Sequence, residues 1–288
     1  MDGKDLKFEK NTGMSELGKK VDRAIRFLKS ASQKGQLELA YSGGKDSDVI
    51  LHLSRMAGID IRPIYKNTTI DPPGTVRHCK ENGVEILAPK ERFFSLVERS
   101  GFPSRWVRFC CENLKEYKVM DKAILGIRRS ESQKRKQKYT EPEVCRKYRN
   151  KNGRVLQYLP ILEWDDHDIA EFINCEGIRL HDLYYRDDGT VDIKRRLGCI
   201  GCPLASRQNR VKEFQRYPLF LKQWVRHGDV FYANRTVVDG KAYTNASEAL
   251  VSTLFFNNYT QYRKAKDSTL FGPMDERKLL EDFFKVEL

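Results

Sequence analysis

The chain has 288 residues, 40% of them hydrophobic, and its 53 Lys and Arg against 40 Asp and Glu leave a net charge of +13. That length and apolar content support a real core, as one large domain or a domain with an appendage, while no apolar run is long enough to span a membrane. The opening stretch Met1 to Lys10 lacks the apolar centre of a signal peptide, so a cytoplasmic protein is expected, and its excess of positive charge suggests a polyanionic partner or a strongly anionic substrate.

In chain order, Ser15 to Ser32 carries Leu17, Val21, Ile25 and Leu28 at helical spacing, with Gly35 as a stop. Leu37 to Tyr41 reads as a strand and Asp48 to Ala57 as a helix. Between them lies Ser42-Gly43-Gly44-Lys45-Asp46-Ser47. A strand, a glycine turn and a helix N-terminus make an anion site, because the turn's N–H groups converge and the helix dipole adds partial positive charge. Gly43 and Gly44 permit a close ligand approach, Lys45 adds a point charge, and Asp46 and Ser47 suit phosphate oxygens or Mg²⁺. The spacing is not that of a Walker A loop, which needs four residues between its first Gly and the Gly-Lys pair. It resembles the PP-loop of ATP pyrophosphatases, which split ATP between its α and β phosphates and adenylate a substrate.

Ile61 to Tyr65, Val84 to Leu87 and Lys122 to Leu125 read as further strands, with a helix over Glu112 to Met120. Strands alternating with helices predict an α/β fold, a parallel sheet sandwiched by helices, with ligands at the carboxyl ends of the strands. The PP-loop, Thr68-Thr69 and Gly126-Ile127-Arg128 all fall at such ends. The basic stretch from Lys134 to Arg154 shows weak periodicity and reads as a long loop. Its Lys134, Arg135, Lys136 and Lys138 are candidates for contact with substrate or nucleic acid, and Tyr139 and Tyr148 for stacking. Cys145 lies in this stretch, while Cys79 and Cys175 sit in helix-like contexts as packing residues. Beyond Ser206, Gln208 to His227 reads as a helix interrupted at Pro218, and the remainder as mostly helical. The expected division is therefore 1–206, nucleotide-binding, and 207–288, a helical region that caps the domain or meets a partner subunit or another copy.

Seven cysteines in a cytoplasmic chain argue for metal or redox chemistry rather than structural disulfides. Cys110 and Cys111 are adjacent, and Cys199 and Cys202 form a Cys-x-x-Cys followed by Pro203. Four thiolates suit Zn²⁺ or an iron–sulfur cluster. Neighbouring residues close a tetrahedron around one ion with difficulty, whereas each thiolate can bind a separate iron of a [4Fe–4S] cubane. The bland alternatives are buried free thiols for the first pair and a zinc knuckle or dithiol for the second.

From about Leu37 to about Ser206 the chain resembles the phosphoadenosine/adenosine phosphosulfate reductase superfamily of PP-loop proteins. The likeness rests on the PP-loop, on Gly126-Ile127-Arg128-Arg129-Ser130-Glu131-Ser132-Gln133-Lys134-Arg135, on Leu159 to Ile169, on His181-Asp182-Leu183-Tyr184-Tyr185, and on the two cysteine pairs. It implies nucleotide contacts from Ser42, Gly43, Gly44, Lys45, Asp46, Ser47, Thr68, Gly126 and Arg128, catalytic roles for Lys45, Asp46 and Arg128, and [4Fe–4S] ligation by Cys110, Cys111, Cys199 and Cys202. The sulfonucleotide reductases of this superfamily use a nucleophilic cysteine near their C-terminus and a degenerate loop. This sequence has no cysteine after Cys202 and keeps Lys45 and Asp46. It looks more like the ATP pyrophosphatase component of DNA phosphorothioation systems, or like a tRNA thio-modifying enzyme. That resemblance implies ATP, Mg²⁺ and a [4Fe–4S] cluster as cofactors, with DNA or tRNA and a cysteine desulfurase or other sulfur donor as partners. The alternatives are an assimilatory sulfonucleotide reductase and a nucleic-acid-binding or scaffold subunit with a non-catalytic nucleotide site.

Overall fold

A computed structural model describes residues 15–117, 121–147, 154–233, 237–238, 241–268 and 274–288. It divides into two compact units. The first comprises Met1–Asn67, Pro73–Ala88 and Glu116–Leu197, and the second Thr68–Pro72, Pro89–Lys115 and Gly198–Leu288. The sequence reading drew one boundary at residue 206. In the structure, residues 68–72, 89–115 and 198–206 group with the C-terminal helices instead, through contacts between segments distant in sequence.

The first unit is built on a six-stranded sheet in the order β3-β2-β1-β4-β6-β5. Its strands are β1 (Leu37–Tyr41), β2 (Ile61–Lys66), β3 (Glu85–Leu87), β4 (Lys122–Ile124), β5 (Glu143–Lys147) and β6 (Arg154–Tyr158). All pairs are parallel except β5 with β6. Strand β1 is central and apolar on both faces because helices cover both. Its one acidic residue, Glu38, is buried, and Lys66 stands 3.7 Å away. Helices α1 (Glu16–Gln33), α2 (Lys45–Met56), α3 (Thr75–Glu81), α6 (Gln133–Lys138) and α7 (Asp166–Glu176) complete this unit. Ser15 caps α1 by accepting from Gly18 N, and Leu17, Val21, Ala24 and Leu28 form its buried stripe.

The expected loop over 134–154 is a correction. Its described part holds helix α6, the edge strand β5 and the first residue of β6. Charge masked the alternation of β5, whose outer face is solvated as an antiparallel edge permits. Tyr148 and residues 149–153 lie outside the described residues, as do 118–120 of the helix expected to reach Met120. That helix is shorter and earlier, as α5 (Phe109–Leu114). Cys79 is buried as expected, whereas Cys175 is exposed on α7.

The second unit is helical, with α4 (Phe93–Ser100), α5, α8 (Arg207–Arg216), α9 (Pro218–Tyr232), α10 (Ala246–Phe255), α11 (Tyr259–Lys266) and α12 (Glu276–Phe284), plus the short hairpin β7 (Val237–Val238) and β8 (Lys241–Ala242). Pro218 opens α9 at its first turn, where its missing N–H costs nothing, which is the expected interruption. Trp224, Phe214, Phe93 and Phe102 pack around one another in its core.

Glu248 is the polar centre of this helical unit. It is 0% exposed, accepts from Thr244 N (2.6 Å) and Thr244 Oγ1 (2.8 Å), and meets the Tyr262 hydroxyl and Lys266 Nζ at 2.8 and 2.7 Å. Burial alone would raise its pKa, but the Lys266 hydrogen bond and the Thr244 donors hold it at about 2. A depressed carboxylate stabilises the fold above its ordinary pKa of 4.5, and that contribution disappears as pH falls toward about 2. Glu248→Gln should therefore cost about 3 kcal/mol near neutrality. In urea melts across pH, the difference between variant and parent should shrink below about pH 4.5. A difference independent of pH would contradict the assignment.

Candidate nucleotide site and cysteine set

Strand β1 connects outward to β2 and β3 on one side, while β4 and β6 continue on the other. The strand order thus reverses between β1 and β4, where open α/β sheets bind ligands beyond the carboxyl ends of their strands. A cavity of about 240 Å³ opens there. It is lined by Ser42 and Gly44 to Ser47 after β1, by Leu125 to Ile127 after β4, and by Glu131, Arg135, Tyr184, Arg196 and Leu197.

The loop between β1 and α2 is held by its own side chains. Ser42 N donates to Ser47 Oγ at 3.3 Å, and Ser47 Oγ donates to Gly44 O at 2.7 Å. Gly43 has φ +75°, and a Cβ there would lie 3.0 Å from Leu197 Cδ2 and 3.3 Å from Thr75 Cγ2, so glycine is required on both conformational and steric grounds. Lys45 N donates to the Tyr184 hydroxyl at 3.2 Å, while Gly43 N and Asp46 N carry no hydrogen bond among the described residues. Burial pushes the Lys45 ammonium's pKa down, and Asp46, 3.5 Å away, opposes that. An arriving anion would restore the charge that burial disfavours.

Arg128 is 1% exposed and bridges two helix starts. Its Nε donates to Asp46 Oδ1 and an Nη to Asp166 Oδ1, each at 2.8 Å, and a further bond reaches Ser130 Oγ at 3.2 Å. Gly126 lies where a Cβ would come 3.1 Å from Asp46 Cβ, which keeps β4's exit close to the loop. Below the loop, Asp48 is buried between the Tyr41 hydroxyl and His78 Nε2, the latter 3.0 Å away.

Of the sequence-derived residues, Ser42, Gly44, Lys45, Asp46, Ser47 and Gly126 line the cavity, Gly43 shapes its loop and Arg128 lies behind Asp46. Thr68 belongs to the second unit, where its Oγ1 is 3.6 Å from Cys199 Sγ. The four basic residues of α6 divide: Arg135 turns into the cavity beside Glu131, whereas Lys134, Lys136 and Lys138 are exposed. Tyr184, Glu131 and Arg196 had been given no role. Tyr184 and Glu131 sat inside quoted stretches, but nothing in the sequence signalled Arg196.

The four cysteines all belong to the second unit. Cys110 and Cys111 open α5, and Cys199 and Cys202 flank a turn closed by Cys202 N donating to Cys199 O at 3.2 Å. Gly201 makes that turn possible with φ +77°, and a Cβ would lie 2.7 Å from the Phe214 ring. The Cys110 thiol is pushed up, first by its hydrogen bond to Cys111, then by burial, with Cys199 and Cys202 adding repulsion. Cys111 is lowered by that same bond and by Arg108. Burial pushes Cys199 up to about 12, against the pull of Lys115. The four thiols therefore feel one another as one patch. Among the described residues, no three His, Cys, Asp or Glu side chains are placed to grip a single metal ion.

Strand order, glycine loop and buried arginine together define a nucleotide-binding α/β protein of the PP-loop class. The chain belongs to the phosphoadenosine phosphosulfate reductase domain family, whose model matches residues 36–205. It is 24% identical over 245 residues to an uncharacterised protein of Methanocaldococcus jannaschii, covering 77% of this chain and 57% of that one. It is 28% identical over 182 residues to sulfate adenylyltransferase subunit 2 of Citrifermentans bemidjiense, covering 51% and 60%. The chain thus spans less than two thirds of either relative's length. The FMN adenylyltransferase of Candida glabrata, in complex with FMN and an ATP analogue, overlays 64% of this chain and 66% of its own at 14% identity with a TM-score of 0.43. Among the described residues no helix is long and apolar enough to cross a membrane.

Arg128→Leu should destabilise the protein by about 1–3 kcal/mol, because it removes the charge-assisted hydrogen bonds from the buried guanidinium to Asp46 and Asp166. Arg128→Lys should recover only part of this, since an ammonium cannot serve both carboxylates with a planar fork. Urea melts of the two variants would show it. Equal stability of the Leu variant and the parent would contradict the pairing.

Proposed function

We propose that the protein is an ATP pyrophosphatase that adenylates an acceptor for sulfur transfer, with a nucleic acid as acceptor. The observation that supports this most is the cavity at the β1/β4 switch, where the loop's N–H groups and Lys45 face the position of a polyphosphate. The acceptor oxygen attacks the α-phosphorus, the bond to the β-phosphate oxygen breaks, and pyrophosphate leaves. Lys45 and the loop N–H donors stabilise charge on that leaving group. Asp46, fixed by Arg128, lines the cavity beside Lys45 and suits the Mg²⁺ that accompanies ATP. A sulfur nucleophile, supplied by a cysteine desulfurase or another donor, then displaces AMP. The net charge of +13 supports DNA or tRNA as the acceptor, as does the exposed lysine face of α6.

Cys110, Cys111, Cys199 and Cys202 would hold a [4Fe–4S] cluster. Their all-thiol donor set is soft, and the adjacent Cys110 and Cys111 suit a group whose metal atoms each take one thiolate better than a single ion. When bound, such a cluster supplies one-electron redox chemistry or a tie between α5 and the Cys199–Cys202 turn.

A second reading, a small anionic acceptor, is favoured by Arg135 and Arg196, which both lean on Glu131 at the cavity wall. It includes adenylation of sulfate, the activity in the name of the Citrifermentans relative, and sulfonucleotide reduction. Pyrophosphate release from ATP, with DNA, tRNA or sulfate added in turn, and sulfite release from adenylyl sulfate separate these. Sulfite release would support the reductase, and no turnover on any of them a scaffold.

Lys45→Ala should lower pyrophosphate release by about a hundred- to a thousand-fold, the effect of removing one charge-stabilising donor. Conversion of ATP to ADP, or an active variant, would refute the chemistry. Anaerobically purified protein should be brown with about four irons per chain, and Cys111→Ser or Cys199→Ser should bleach it. A colourless parent holding one zinc would refute the cluster.

A further inference from the structure

We propose that the turn at residues 104–107 is a stacking platform for an unpaired base of a single-stranded nucleic acid. Ser104 closes the turn. Its N–H donates to Val107 O at 3.0 Å, and its Oγ accepts from Trp106 N at 3.2 Å and Val107 N at 3.0 Å. The backbone is thereby fixed, and it presents Trp106 to water at 93% exposure. The other two tryptophans, Trp164 and Trp224, are 2% exposed. Among the described residues the Trp106 indole stacks on no ring and its N–H meets no acceptor, so the fold does not use this side chain. A large aromatic side chain left in water on a rigid turn forgoes the burial that Trp ordinarily obtains, and the return comes when something flat covers it.

The surroundings select that occupant. Arg105 and Arg108 flank the indole and are exposed, and Val107 and Leu204 add half-exposed apolar surface. Arg105 Nε donates to Pro203 O at 3.1 Å, which pins the turn to the Cys199–Cys202 segment, and its outer nitrogens carry no hydrogen bond among the described residues. Helix α8 follows with Arg207, Arg210, Lys212 and Arg216 against one acid, Glu213, whose carboxylate is already engaged by Gly201 N at 2.8 Å. An indole flanked by Arg105 and Arg108 matches a base face with its phosphates, since stacking tolerates any base and the exposed Arg105 guanidinium can meet the backbone. A duplex hides its base faces in the stack, so an unpaired or extruded base is required. The sequence places nucleic-acid contact in the stretch from Lys134 to Arg154, with Tyr139 and Tyr148 for stacking, and not at this turn. Only the choice of nucleic acid as occupant rests on the acceptor proposed above.

The test uses the full chain without ATP and fluorescein-labelled DNA and RNA single strands of about 20 nucleotides, longer than one site. Anisotropy is followed across salt concentrations, with the DNA duplex as competitor. Trp106→Ala should weaken single-strand binding about ten- to a hundred-fold with an unchanged salt slope, and Trp106→Phe should keep most of the affinity. Arg105→Ala should lower the salt slope by about 0.7, one phosphate contact. Unlabelled strand should quench tryptophan emission in the parent and not in Trp106→Phe, whose remaining indoles are buried. The proposal is overturned if the parent binds no strand, if Trp106→Ala binds as tightly as the parent, or if the duplex competes equally. It is also overturned if Trp106→Ala merely converts a self-associating parent to monomer, which would make a second copy the occupant. ATP binding by Trp106→Ala without nucleic acid should equal the parent's, so failure of the platform and failure of the ATP reading appear in different assays.

Discussion

A single buried guanidinium holds the nucleotide-binding unit in its working shape. Arg128 leaves the end of β4, crosses to Asp46 in the first turn of α2 and reaches Asp166 in the first turn of α7. Two helix N-termini and a strand end are thereby fixed around one charge. Burying an unpaired arginine or carboxylate would be prohibitive, so each partner's position depends on the others. The consequence reaches Lys45, whose charge burial disfavours and whose near anion is the same Asp46. The cavity wall adds Arg135 and Arg196 against Glu131. Positive charge is therefore in local excess at the cavity beside the loop, where a polyphosphate would meet it.

The cysteine set obeys a different constraint. It is built from two short turns of the helical unit, each placed by close packing, with Gly201 against Phe214 and Trp224 as the tightest point. Ionising all four thiols is costly in the bare protein, since Cys110 is pushed up by its bond to Cys111, by burial and by Cys199 and Cys202. A bound cationic group would offset that cost and let each sulfur ionise. Arg108 and Lys115 lower the cost of the thiolates in the meantime. The nucleotide cavity and the four cysteines thus rest on separate residue sets, so variants in one need not disturb the other.

Much of the first unit was legible in the sequence because its signals are local. Leu37 to Tyr41 is an apolar run ending in glycines, and the Ser42 to Ser47 loop needs only its own side chains to close. Arg128 was legible from its place after a strand. What was not legible came from contacts distant in sequence. Thr68 looked like a nucleotide contact because it follows β2, yet tertiary contacts carry it to Cys199. Strand β5 looked like a basic loop because its wet face tolerates Lys147 and, on the other face, Arg146 donates to the Tyr139 hydroxyl. The grouping of 89–115 with the C-terminal helices, and the exposure of Trp106, have no local signature at all.

Amide hydrogen exchange of the full chain with and without ATP·Mg²⁺ tests the central claim most directly, because it reports where the nucleotide sits without relying on turnover. The account predicts slowed exchange in peptides spanning residues 42–48 and 125–135, with no change in peptides spanning 104–115. Protection absent from the loop after β1, or found instead around the cysteines, would contradict it.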